Sequence, residues 1–326
     1  MQYRRIAALE TDITTVGFGT WPLAGECDLA GRPVGRGKVD VAEARRALAK
    51  ALDAGVNCFD TAPTYGDAER LLGEALANRS EDIVVCTKFG IRVTPDGRAI
   101  KDFSSQSLQT SFENSLRNLK RDRIEVLLLH SPHDEFDWLD YNIGPLEQLQ
   151  QQGKLGCYGV SCHSVAGAER ALLYGFGGVI EVIYNAMDRR AEEGVLENAA
   201  DKGVAVIARV PLAQGFLAGR YCDTPPTFCA NDHRSTFTAE EIAWLSEAAR
   251  RLSFLDELPG GMPVSALRFC LTHPAVTTTI PGMRSQKQVA ANILAGELGP
   301  LERATLEQIA RAVPEVYPGW QRKVSA

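Results

Sequence analysis

The sequence is short of the signals that would each name a function class. Its eight cysteines form no CxxC pair and no regular spacing, which argues against a zinc ribbon, a thioredoxin-type motif or a disulfide framework. Cys58, Cys86, Cys157 and Cys270 lie inside apolar runs and read as small buried residues of a reduced compartment. No stretch approaches the roughly 18 apolar residues that a membrane span needs. The first residues, "MQYRRIAALETDITTVGFGT", hold no uninterrupted apolar segment of the kind a secretory leader carries. The expectation is a cytoplasmic protein without a membrane partner. The 35 Lys and Arg stand against 41 Asp and Glu, a net charge of -6 with no long run of either sign, so nothing in the chain attracts nucleic acid. The five histidines lack HExxH-like spacing, no G-x-S-x-G occurs, and no metal is expected.

What the chain does hold is alternation. Short β-rich runs recur at "TVGFGT" (15–20), "NCFDTA" (57–62), "IVVCTKF" (83–89), "EVLLLH" (125–130), "CYGVSC" (157–162), "VIEVIYN" (179–185), "VAVIARV" (204–210) and "VTTTIPG" (276–282). Between them lie segments of helical period, such as "VDVAEARRALAKALDAG" and "SLQTSFENSLRNLK". Gly55, Gly153 and Gly203 each fall just before a strand, where a helix C-terminus ends. Strands this continuously apolar are buried on both faces. Eight of them with crossover helices in 326 residues predict one α/β domain over 1–326, a (β/α)8 TIM barrel. The rival is an open doubly wound sheet, but "GFGTWPLAG" lacks the third glycine of its dinucleotide fingerprint. "YRRIAALETDITTV" reads as an N-terminal β-hairpin at the barrel bottom. Residues 24–38 and 213–238 are too long for plain connections and follow strand C-termini, the active face of a barrel.

Polar residues collect at those strand ends: Asp60 and Tyr65 after the second, Lys88 near the end of the third, His130 closing the fourth. Each alone has a structural explanation as a turn former, a snorkelling lysine or a hydrogen-bonded core histidine. Together they permit specific chemistry. A phenol with its usual pKa near 10 is a poor donor at neutral pH, and a neighbouring ammonium lowers that value. Lys88 is placed to do this for Tyr65, Asp60 to hold Lys88 charged, and His130 to orient or polarise a carbonyl. With no nucleophile or metal set nearby, the attacking species is expected to be a cofactor's hydride.

At this point the chain resembles the aldo-keto reductase family over nearly its whole length. The matches are "GFGTW" (17–21), "GVNCFDTAPTYG" (55–66), "CTKFG" (86–90), "LLLHSP" (127–132), "GVS" (159–161), "YNAMDR" (184–189), "PLAQGFLAGRY" (211–221) and "IPGMRSQKQVAAN" (280–292). The resemblance implies a catalytic tetrad of Asp60, Tyr65, Lys88 and His130, with Tyr65 the general acid in reduction. It implies a nicotinamide dinucleotide, NADPH in preference to NADH, lying across the barrel mouth. Its contacts would come from Gly19, Thr20, Trp21 and Asp60, and from Pro211, Leu212, Gln214, Gly215 and Leu217 over the pyrophosphate. Gly282, Arg284 and Ser285 would take the 2'-phosphate, and Gln288 and Asn292 the adenine. A helix N-terminus with an arginine and a hydroxyl suits an anion.

Two positions depart from the family pattern. Its usual Ser-Asn pair on the nicotinamide carboxamide reads Ser161-Cys162, and its usual Gln reads Glu181. Arg209, where many relatives carry an aromatic on the nicotinamide, counts as variation within the family, since a planar guanidinium stacks similarly. A thiol and an ionised carboxylate cannot reproduce two amides. Trp21, Tyr65, His130 and Trp138 are expected to line the substrate pocket, with Trp320 near it. The acidic loop 131–142 disfavours an anionic substrate. The expected activity is reduction of an aldehyde, ketone or keto-sugar to an alcohol. Alternatives are the reverse alcohol dehydrogenase, a cofactor-binding accessory subunit with little turnover, and an isomerase or lyase using the Tyr–Lys pair alone. Substrate identity and oligomeric state are not legible.

Overall fold

The computed structural model describes residues 1–77, 79, 82–222 and 224–317. Eight parallel strands form one sheet: β1 Phe18–Gly19, β2 Cys58–Asp60, β3 Val84–Phe89, β4 Ile124–His130, β5 Leu155–Ser161, β6 Val179–Ile183, β7 Ala205–Arg209 and β8 Val276–Thr279. Parallel bridges Val16↔Thr279 and Gly19↔Gly282 join the first strand to the last, so the sheet closes into a barrel. Gly19 is required at that seam, because a Cβ there would lie 2.6 Å from the carbonyl oxygen of Ile280.

The helices follow in order: α1 Val41–Asp53, α2 Ala68–Leu76, α3 Ser105–Leu119, α4 Gly144–Gln151, α5 Val165–Leu173, α6 Val195–Asp201, α7 Ala239–Arg251, α8 Gly261–Thr272, α9 Gln286–Leu298 and α10 Arg303–Ala312. Side chains cap the starts of several: Asp40 accepts from the Glu43 amide, Ser104 from Ser107, Thr238 from Glu241 and Ser285 from Gln288. An antiparallel hairpin pairs Tyr3–Ile6 with Thr11–Thr14.

Two hydrophobic layers follow from strand alternation. Cys58, Val84, Cys86, Val126, Leu128, Cys157, Val179, Ala205 and Ile207 fill the barrel interior, and Ile6 and Ile13 of the hairpin pack into the same cluster. The intervening strand residues, among them Phe59, Val85, Leu127, Leu129, Val160, Ile180 and Val206, meet the helices. Because the side-chain period is two, the next interior position along each strand is fixed. Cys58 leads to Asp60, Cys86 to Lys88, Leu128 to His130, Gly159 to Ser161, Val179 to Glu181, and Ile207 to Arg209. The candidate site is therefore the layer above the apolar plug, at the C-terminal mouth.

Candidate active site

Lys88 is completely buried, with Asp60 almost so. Its ammonium donates to Asp60 Oδ2 and, at 3.1 Å, to the carbonyl oxygen of Thr61. A second carboxylate lies against it: Glu181 Oε2 is 3.2 Å from Nζ as an ion pair. Glu181 Oε1 accepts from Ser161 Oγ at 3.1 Å and lies 3.8 Å from Arg209 Nε. Asp60, Cys86 and Glu181 bring ligand atoms within 4.8 Å of one another, and the Lys88 ammonium is the cation that Asp60 and Glu181 already hold. Burial and the facing Glu181 raise the Asp60 carboxyl to about 7. Lys88 is held well above its ordinary range, because the charges of Asp60 and Glu181 outweigh its burial.

Tyr65 follows β2 on the loop "TAPTYG". The Lys88 ammonium lies 5.3 Å from the centroid of its ring, and the ring of His130 meets it edge-on at 6.1 Å. Trp21 flanks Tyr65 at 6.5 Å between ring centroids. The net effect on the phenol is opposite to the sequence expectation. Burial pushes Tyr65 up to about 12; Lys88 pulls it down, but Asp60 and Glu181 push with the burial. The His130 imidazole is driven well below its usual range by burial, with Lys88, Arg209 and Lys101 adding to it. It is neutral at pH 7, suited to donating a hydrogen bond rather than a proton.

The two long loops meet over this mouth. The Arg36 guanidinium donates to both the main-chain oxygen and Oε1 of Gln214, and Arg234 reaches the same main-chain oxygen at 3.3 Å. Arg36 also stacks over Trp21 at 4.9 Å, while His233 lies 4.5 Å from the same indole. Arg284 donates to the carbonyl of Arg36 at 3.3 Å. Asp232 pairs with Arg234 in a fork, and Arg36 and Arg284 bring further positive charge to this rim. Val210, Ala213 and Gln214 adopt left-handed backbone with φ of 54, 44 and 59°, followed by Gly215 at 94°; such strain in ordinary residues clusters at ligand clamps. Arg36, Asp232, His233 and Arg234 escape a reading of the sequence, where their only signal is the length of their loops.

The residues expected to hold a dinucleotide are brought to one rim. Thr20 donates its amide to the main-chain oxygen of Asp60 at 2.9 Å, and its buried hydroxyl has no partner. Gly282 bridges to Gly19, and Asn292 is buried. Glu181 Oε2 accepts no hydrogen bond and rests against the Lys88 ammonium. The unpartnered Thr20 hydroxyl at the mouth and a gathering of guanidinium groups above it fit a molecule with a polar group at one end and phosphates further along. Within the 211–221 segment Pro211 and Leu217 are buried, while Leu212, Gln214 and Gly215 are part-exposed. The Cys162 thiol is buried and raised by burial, and its carbonyl accepts from Arg209 at 3.3 Å.

Other expected residues are placed differently. The N-terminus of α9 is already furnished: Gln286 donates its amide to Glu43 Oε1 at 2.8 Å, and Gln288 Oε1 accepts from the Arg284 amide at 2.9 Å. Trp138 is 7% exposed and packs on Phe136 and Phe176, both at 4.7 Å, so its stacking partners belong to an aromatic core and not to the Trp21–Tyr65 pair. In the acidic loop, Asp134 accepts from Ser164 and Asp137 from two amides, which gives both carboxylates structural work. Trp320 lies outside the described residues.

Comparison with known proteins agrees with the barrel fold. The family model described as "Aldo/keto reductase family" matches residues 15–314. An "Uncharacterized oxidoreductase YqkF" of Bacillus subtilis is 28% identical over 95% of this chain and 94% of its own. An "NADH-specific methylglyoxal reductase" of Escherichia coli is 26% identical over 90% of this chain and 93% of its own. Among solved structures, the holo form of aldo-keto reductase AKR11C1 from Bacillus halodurans superposes with a TM-score of 0.79 at 26% identity, covering 98% of this chain and 99% of that one.

Proposed function

Because the chain belongs to the aldo/keto reductase family of oxidoreductases, we propose that it reduces a small-molecule aldehyde, ketone or keto-sugar to an alcohol with a nicotinamide dinucleotide. The observation that carries this reading is the buried Asp60–Lys88 pair lying under the ring of Tyr65, with His130 at its edge. When bound, the reduced nicotinamide supplies the hydride, two electrons to the carbonyl carbon. Tyr65 gives its phenolic proton to the carbonyl oxygen as charge develops there, and Lys88 stabilises the phenolate left behind. Neutral His130 donates a hydrogen bond to the same oxygen. The loops of Arg36 and Arg234 exclude water from above. In the alcohol-oxidising direction the same residues act in reverse, Tyr65 taking the proton.

Ser161, Cys162, Glu181 and Arg209 are the residues proposed to hold the nicotinamide end. Thr20, Trp21 and the 211–221 segment would hold the middle, and Gly282, Arg284 and Asn292 the adenosine end. Arg284 supports NADPH over NADH, and the carboxylate of Glu43 at the start of α9 works against that preference. The intact charge cluster speaks against an accessory subunit without turnover. The test follows NADPH absorbance against a panel of carbonyl compounds, with Tyr65→Phe as control, and titrates both cofactors. Turnover undiminished in Tyr65→Phe, or none with any carbonyl, overturns the reading; tighter NADH overturns the cofactor preference.

A further inference from the structure

At the alkaline pH where a phenol titrates, the charges gathered around Lys88 sum to zero. Asp60 and Glu181 each carry one negative charge, and Lys88 and Arg209 one positive charge each, all joined by contacts of 3.8 Å or less. A single ammonium with one carboxylate and Arg209 would leave the cluster one positive charge in excess, next to the ring of Tyr65. Glu181 removes that excess. The neighbouring titratable groups do not replace it: Cys58, Cys86 and Cys162 are thiols raised by burial, and His130 is neutral. Lys88 makes no hydrogen bond to the Tyr65 hydroxyl, its two donor contacts going to Asp60 and Thr61. Its hold on the phenol is through charge alone, and charge is what Glu181 offsets.

We propose that Glu181 is a positioning residue that sets the proton affinity of Tyr65, acting as a second counter-ion on the one buried ammonium and keeping the phenol protonated. The inference rests on the reading of Tyr65 as the acid, and its consequence is a division of roles between the two carboxylates. Asp60 anchors Lys88 by a direct hydrogen bond. Glu181, whose Oε2 approaches the ammonium without a hydrogen bond, contributes field more than geometry. Ser161 fixes its other oxygen, so the charge is held at a constant distance while Tyr65 works.

The experiment titrates the phenol of Tyr65 in the ligand-free protein, by the phenolate absorbance of each chain minus that of the same chain carrying Tyr65→Phe. It needs no turnover, so its failure is separate from a failure of the carbonyl-reductase reading. Glu181→Gln keeps the shape and the Ser161 contact but removes the charge. Tyr65 is expected to ionise about one pH unit lower, or more. Glu181→Asp retains the charge and is expected to titrate near the parent. An unmoved midpoint in Glu181→Gln overturns the proposal, as does an equal downward shift in Glu181→Asp. If Glu181→Gln does not fold by circular dichroism, Glu181→Met, which removes the same charge with an apolar side chain of similar length, is read in the same way: a lower Tyr65 midpoint supports the proposal and an unmoved one overturns it.

Discussion

The guanidinium of Arg36 grips one residue of the opposite loop twice, donating to the main-chain oxygen of Gln214 at 2.9 Å and to its Oε1 at 2.5 Å. Gln214 stands in left-handed backbone, a conformation that costs free energy in any residue but glycine. The bridge between residues 24–38 and 213–238 is therefore part of what holds the proposed cofactor clamp in shape. It also places two arginines face to face, since Arg234 reaches the same carbonyl, and burial with that like charge pushes the Arg36 guanidinium below its usual value.

Arg36→Met keeps the contact with Trp21 and removes the grip. A hydrogen bond from a charged donor is worth about 1.5 kcal/mol or more, so cofactor binding is expected to weaken roughly tenfold. Calorimetric titration with NADPH and NADH checks this. Unchanged affinity for both would show that the loops hold their form without the arginine.

Tyr65→Phe removes the proposed proton donor and leaves the ring that meets Trp21 and His130. The expected result is a fall in kcat of about 10²- to 10⁴-fold, the usual contribution of a positioned acid, with cofactor affinity unaltered. A fall in affinity matching the fall in kcat would assign Tyr65 to binding instead.

Asp60 gives the fold a pH dependence. Its carboxyl holds a proton to about 7 in the folded chain against 3.8 for the free side chain. Between about 4 and about 7 the folded state thus binds more protons than the unfolded one, and stability falls as pH rises. Lys88, raised well above its ordinary value, is charged in both states across that window and adds no slope. Glu181→Gln removes a like charge from Asp60, so its proton leaves at lower pH and the slope flattens. Urea unfolding across the window reads this directly. A slope equal in the two chains would assign the Asp60 shift to burial alone.

Much of this arrangement is legible in the sequence because alternation in a parallel strand is a strict rule. "CFD", "CTK" and "LLH" each end on the same face as an apolar interior residue two positions earlier, so Asp60, Lys88 and His130 must converge once the barrel is recognised. The sign of the net effect on Tyr65 is not legible. It depends on how burial and three charges on different strands combine, and no spacing encodes that. The partners of Arg36 are hidden for a related reason: Gln214 lies 178 positions away, in a loop without periodicity. The neighbours of Trp138 are hidden too, because an aromatic in a loop after β4 reads alike whatever it packs on, here Phe136 and Phe176.

Glu69, on the inner face of α2, receives Thr87 Oγ1 at 2.7 Å, Ser115 Oγ at 2.8 Å and Asn118 Nδ2 at 3.0 Å. Thr87 precedes Lys88 on β3 and points to the opposite side, so this network pins the strand from behind. Glu69→Ala strands three donors and is expected to cost about 3 kcal/mol of stability. Equilibrium denaturation measures it; a loss below about 1 kcal/mol would mean that the donors find other partners.

Glu43 enters the proposed adenosine end from α1 and accepts the Gln286 amide at 2.8 Å. An anion at the start of α9 would seek that same amide, together with the side chains of Arg284 and Ser285. The Glu43 carboxylate is held below the usual range, first by the Gln286 amide and then by Arg46, so it stays ionised at neutral pH. A 2'-phosphate arriving there meets a negative charge and a donor already in use, whereas a free 2'-hydroxyl loses nothing. Glu43→Gln removes the charge while its amide oxygen can still accept from Gln286. The expected outcome is a several-fold gain in affinity for NADPH with NADH unchanged, greatest at low ionic strength, where exposed charges are least screened. Paired titrations of the two cofactors at two salt concentrations check it, and an equal gain for both would move the effect of Glu43 from phosphate discrimination to the shape of the helix start.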